Sequence, residues 1–122
     1  MTDKIVVLST CANREQAESV ARHLVEQRLA ACVNVLGEAR SIYRWRGAVE
    51  QATEWLLIIK SRRTLFDALR AEIERLHSYE VPEALALAVV DGSPAYLEWL
   101  DRELLPAPGP AQNRDRQGAA DG

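Results

Sequence analysis

Residues 40–61, RSIYRWRGAVEQATEWLLIIKS, constrain the fold more than any other stretch. In the first arm Ser41, Tyr43 and Trp45 alternate with Ile42, Arg44 and Arg46, the period-2 pattern of a β-strand. Gly47 follows, and glycine is the residue that a tight reversal accepts most easily. In the second arm Val49, Gln51, Thr53 and Trp55 alternate with Glu50, Ala52 and Glu54. From Trp55 to Ile59 the chain is continuously apolar, as in a strand buried on both faces. The pattern predicts a long β-hairpin, its base in a core and its tip projecting near Trp45 and Gly47. About ten residues per arm is long for a strand. Exposed aromatic residues and strand edges of this kind are rarely left bare in a monomer.

The other elements follow from local signals. Lys4 to Thr10 (KIVVLST) reads as a central strand and Cys11 to Asn13 as a loop. Asn13, with Gln16 three residues on, suits a helix start. Ala17, Val20, Ala21, Leu24, Val25 and Leu29 then form one apolar stripe, while His23 lies off it and is expected in solvent. Ala30 to Leu36 reads as a second strand. Gly37 and Glu38 interrupt it, and a bulge there would let the strand run on into the hairpin. Thr64 and Asp67 frame a second helix with Leu65, Leu69, Ile73 and Leu76 inward, ending at His77–Tyr79 before Pro82. Ala84 to Val90 (ALALAVV) reads as a last buried strand. Ser93 and Pro94 start a third helix that runs to about Leu104. The order β-α-β-β-α-β plus a terminal helix predicts an α+β, ferredoxin-like split β-α-β fold with the long hairpin projecting. One sheet face then lacks helices, and a neighbouring subunit is the economical cover.

A chain of 122 residues with 48% hydrophobic and 27% charged residues fits one globular domain. We place that domain at 1–105. Residues 106–122 contain no Val, Ile, Leu or aromatic residue and read as a disordered tail. The net charge of −3 argues against nucleic acid as a partner. No apolar run is long enough for a membrane span, and no signal-peptide pattern is present, so the expected location is the cytoplasm. Cys11 and Cys32 without such a signal do not suggest a disulfide. No phosphate-binding glycine motif and no nucleophile–base constellation is visible, so no enzymatic activity is expected.

Several pieces, in order, resemble the CutA family of divalent-cation tolerance proteins. They are VVLST, LAACVNV, SIYRWRG with Glu54 and Lys60, YEVPEAL, and YLEWL in the last helix, together spanning about residues 4 to 104. The resemblance implies a ferredoxin-like protomer, a tight homotrimer with hairpins on their neighbours, and a link to copper and other divalent metals. It also implies kinship with trimeric PII signalling proteins, which suggests an alternative: a small anionic ligand, a metabolite or nucleotide, between subunits. The copper ligands proposed in relatives are a cysteine and two adjacent histidines. They correspond here to Ser9, Leu76 and His77, so the implied metal contact is weak and rests on His77.

Each candidate has a chemical reading and a plain one. His77 is a metal ligand, with Cys11 near it, or a histidine favoured by the negative end of a helix. Cys11, before a helix N-terminus, would be a reactive thiol if exposed. Cys32 is a soft ligand or a small buried hydrophobe. Tyr43, Trp45 and Trp55 stack a planar ligand or pack against a subunit. Arg44 and Arg46 hold an anion or form a charged edge. Glu54 and Lys60 share a strand face but stand too far apart to pair, so each needs its own partner. With Tyr79, the residues Cys32, Tyr43, Arg44, Trp45, Glu54 and Lys60 make up the expected inter-subunit cleft.

Overall fold

The computed structural model describes residues 1–107. The apolar run near the start forms β1 (Lys4–Cys11), with Ile5, Val7, Ser9 and Cys11 turned to one side and all buried. Helix α1 (Arg14–Glu26) starts where Asn13 Oδ1 accepts the Gln16 N–H at 2.8 Å. The interrupted run and the first hairpin arm are one strand, β2 (Cys32–Trp45), and the second arm is β3 (Ala48–Arg62). A 3-10 turn, Arg63–Leu65, leads into α2 (Phe66–Leu76); β4 (Leu85–Ala88) and α3 (Pro94–Glu103) complete the order. The sheet is antiparallel with strand order β2-β3-β1-β4, the expected ferredoxin-like arrangement. The expected tail lies, from residue 108 onward, outside the described residues.

Helices α1 and α2 cover one face. Val7, Leu24, Leu57, Ile59, Leu69 and Ile73 meet there with essentially no exposure. Burying one such side chain stabilises by roughly 1.5–3 kcal/mol. Helix α3 adds Leu100 to this core, and Leu104, just past its end, joins it. Its position is held by charge: buried Lys4 and Arg62 both meet Asp101, at 3.0 Å each, and both meet Asp3.

The hairpin closes through Arg46 and Gly47, with φ of 49° and 82°. Two successive left-handed residues form the two-residue turn whose twist matches the flanking strands. At the other end of the ladder Leu36 pairs with Leu56, but Ala39 pairs with Glu54. One extra residue in β2 makes a bulge at Gly37–Glu38, as expected. The Trp55 ring fills the space over Gly37: a Cβ there would lie 2.2 Å from it.

Some expectations fail. Cys11 belongs to β1 rather than to a loop, because its pairing with Trp55 continues the ladder. Thr64 caps nothing; Arg62 enters the second helix through the 3-10 turn without a side-chain cap. The ALALAVV run is a four-residue edge strand, exposed along its length, because only β1 lies beside it. Trp55 faces away from Tyr43 and Trp45, since it follows β3's other parity. Arg46 sits in the turn, not beside Arg44 on a strand face. His23 is half-buried; its Nε2 lies 2.7 Å from Glu72 Oε1, tying α1 to α2.

Two outcomes follow. Gly37→Ala should cost about 1–3 kcal/mol, the usual range for overpacking, seen as a lower urea midpoint; an unchanged midpoint would mean that the Trp55 ring moves aside freely. Arg75, and then His23, pull the Glu72 carboxyl from 4.5 down to about 2. A depressed folded-state value adds stability that is fully present above 4.5 and is lost as pH falls through about 2. Glu72→Gln should therefore lose less stability than wild type across that acid window in low salt. Parallel curves would show that the cluster is fully screened.

Candidate functional site

A cavity of about 280 Å³ opens on the sheet face opposite α1 and α2, between the hairpin and the loop that follows α2. The hairpin supplies Tyr43 and Trp45 from β2 and Glu54 from β3; β1 supplies Thr10. The loop supplies Tyr79, Glu80, Val81 and Glu83. The three aromatic rings and three carboxylates share the lining with no lysine or arginine.

His77 fastens the loop. Its Nδ1 accepts the Tyr79 backbone N–H at 3.0 Å, so its Nε2 carries the proton donated to the Thr10 carbonyl at 2.5 Å. The Tyr79 hydroxyl then donates to Glu54 Oε2 at 2.7 Å. Burial, and then this bond to Glu54, push the Tyr79 hydroxyl well above its ordinary value, so it stays a donor. Glu54 is only 8% exposed, yet no lysine, arginine or histidine among the described residues forms an ion pair with it. At the rim the Arg46 guanidinium reaches Glu80 at 2.9 Å and lies 5.3 Å from the centre of the Trp45 ring.

The structure thus brings Tyr43, Trp45, Glu54 and Tyr79 together. It places Cys32 and Lys60 opposite each other on the same sheet face but outside this cavity, with Lys60 Nζ donating to Asn34 Oδ1 at 2.5 Å. Arg44 lies on the other side of the hairpin, opposite Val49. Sequence reasoning missed Thr10, Glu80, Val81 and Glu83. For Glu80, Val81 and Glu83 the signal was the stretch YEVPEAL, where two glutamates flank a Val-Pro pair; read as a helix stop and as one of the pieces of the family resemblance, it put only Tyr79 in the cleft.

The copper-type set does not fit these side chains. Both His77 ring nitrogens are taken by backbone partners, leaving no free lone pair. Cys11 is fully buried rather than exposed, and burial, then Glu54, push its thiol up to about 11. It is therefore neither a ready ligand nor a reactive thiol. Ser9 Oγ is buried without a hydrogen-bond partner, inside the core. Among the described residues no three His, Cys, Asp or Glu side chains converge to hold a metal ion.

The family described as CutA1 divalent ion tolerance protein matches residues 5–103. A divalent-cation tolerance protein CutA of Thermus thermophilus is 45% identical over 95 residues, covering 78% of this chain and 92% of its own length. A chloroplastic protein CutA of Arabidopsis thaliana is 45% identical over 96 residues, 79% of this chain but 53% of the relative. The chain spans about half the length of that relative and of the mouse protein. The crystal structure of CutA from Xylella fastidiosa superposes with a TM-score of 0.82 at 41% identity, covering 84% of this chain and 99% of the other. No helix among the described residues is long and apolar enough to cross a membrane. With the ferredoxin-like sheet, the bulged hairpin and nearly the whole described length accounted for, this chain belongs to the CutA1 divalent ion tolerance family.

Proposed function

We propose that this chain acts in divalent-cation tolerance as a non-catalytic homotrimer. It meets metal ions, copper among them, weakly and through carboxylate oxygens rather than a preformed Cys–His site. The observation that carries the assembly is the uncovered sheet face. Leu36, Leu85 and Leu87 stand 47%, 57% and 52% exposed there, in front of Val6, Leu8, Leu56 and Ile58. A continuous apolar face with a free edge strand beside it calls for protein cover; the number three comes from the family resemblance. For the metal, Glu54, Glu80 and Glu83 offer separate hard oxygen donors that do not converge on one point, so the contact is weak and does not select copper. A cytoplasmic setting belongs to the same reading and agrees with two unpaired cysteines. The alternative of an anionic metabolite is not favoured: the cavity presents carboxylates, and Lys60 is engaged elsewhere.

Light scattering at micromolar concentration should give three times the 13.6 kDa of one chain. Leu85→Lys combined with Leu87→Lys should lower that mass. Both residues are exposed in a single chain, where such changes cost within about 0.5 kcal/mol. A monomeric wild type would sink the assembly.

Calorimetric titration with copper(II) tests the metal. Weak binding should survive His77→Ala and decline in Glu54→Gln. Binding abolished by His77→Ala in a folded trimer would restore the imidazole as the ligand.

A further inference from the structure

We propose that the cavity between the hairpin and the loop after α2 is a binding site for a small organic ammonium ion. The inference deepens the cation-binding reading above and rests on the same cavity. Three independent features select this chemistry.

The first is an uncompensated charge. A carboxylate nine-tenths buried is costly unless it is paired. Glu54 receives one hydroxyl bond from Tyr79 on Oε2, and no cationic side chain among the described residues forms an ion pair with it. Its other oxygen has no hydrogen-bond donor among the described residues, and Glu54 lines the cavity. A cation that enters the cavity supplies the missing partner.

The second feature is the wall. Tyr43, Trp45 and Tyr79 present aromatic surface, and ring faces attract large, weakly hydrated cations. A bare divalent ion instead requires several oxygens converging at about 2.0–2.6 Å. No such triple exists among the described residues. A cavity of about 280 Å³ has room for a small organic ion, whereas a metal ion would touch only separate carboxylates there, in keeping with the weak metal contact proposed above.

The third feature is in the chain itself. The Arg46 guanidinium, in the hairpin turn, lies near Trp45 and pairs with Glu80, so this rim already receives an organic cation. Both side chains of that pair are about 70% exposed, so Arg46 is free to swing away. An ammonium ion would meet the same ring and carboxylates from deeper in the cavity, with the Tyr79–Glu54 pair at its floor.

The experiment titrates the full chain calorimetrically with choline. The control is 3,3-dimethyl-1-butanol, its neutral isostere, which has the same shape without the charge. Choline should bind and the isostere should not. Glu54→Gln should weaken choline roughly ten- to hundredfold, as expected on losing a charge-assisted contact. Trp45→Leu should also weaken it, whereas Arg44→Ala, on the other side of the hairpin, should not. Melting curves of each variant separate loss of the site from loss of the fold. Equal binding of choline and its isostere, or choline affinity unchanged in folded Glu54→Gln, would overturn the inference. So would an absence of choline binding in a wild type that still takes up copper; in that case the ammonium site alone fails and the metal reading stands.

Discussion

The single extra residue in β2 decides which side chains can meet. Side chains alternate along a strand, so a strand paired without interruption keeps its parity. Below the bulge, Cys32, Asn34 and Leu36 face the open side; above it, Ala39, Ser41, Tyr43 and Trp45 do. Even numbers give way to odd ones at Gly37–Glu38. Without that step Tyr43 and Trp45 would lie on the opposite face from Glu54, and the cavity would lose two of its three aromatic walls. Trp55, seated over Gly37, occupies the place where a side chain at residue 37 would otherwise stand. Packing at the bulge and the composition of the site are therefore one constraint.

The open sheet face draws the rest of the structure into the same logic. Two helices on one side complete a core around Leu57 and Ile59, and among the described residues nothing equivalent covers the other side beyond the end where α3 meets Lys4 and Arg62. What the chain invests there is apolar area at Leu36, Leu85 and Leu87 and a four-residue edge strand. Such a face is unfavourable in water and becomes useful once covered. The cavity opens on this same face, so a protein that covered the sheet would also set how wide the cavity mouth remained.

Much of this was legible in the sequence because it rests on local chemistry. Asn13 caps its helix as its side chain predicts, alternation marks both hairpin arms, and Gly37 announces the bulge. The misreadings arise where a partner distant in sequence overrides a local signal. Cys11 follows a strand-like run and precedes a cap, yet pairing with Trp55 extends the strand through it. His23 lies off the apolar stripe of α1, but Glu72 from α2 claims it. Leu85 to Ala88 are apolar enough for a central strand and still stand at an edge, because hydropathy records that a face needs cover without saying which chain provides it. The loop residues Glu80, Val81 and Glu83 had no periodicity to betray them.

Charge is settled differently at the two ends of the open face. At one end Lys4 and Arg62, both buried, meet Asp3 and Asp101, and the set closes on itself. Each buried charge there has its counter-charge, so the cluster serves to hold α3 and the start of the chain. At the other end Glu54 is buried nearly as deeply with only a hydroxyl for company. His77, which the sequence offered as a metal ligand, spends both nitrogens on backbone groups and so fixes where Tyr79 stands. The imidazole acts on the site through position rather than coordination. A fold that neutralises one buried charge cluster internally and leaves the other open has kept its interaction capacity at the open one. On the reading proposed above, a buried carboxyl group without an ionic partner favours cations at that end.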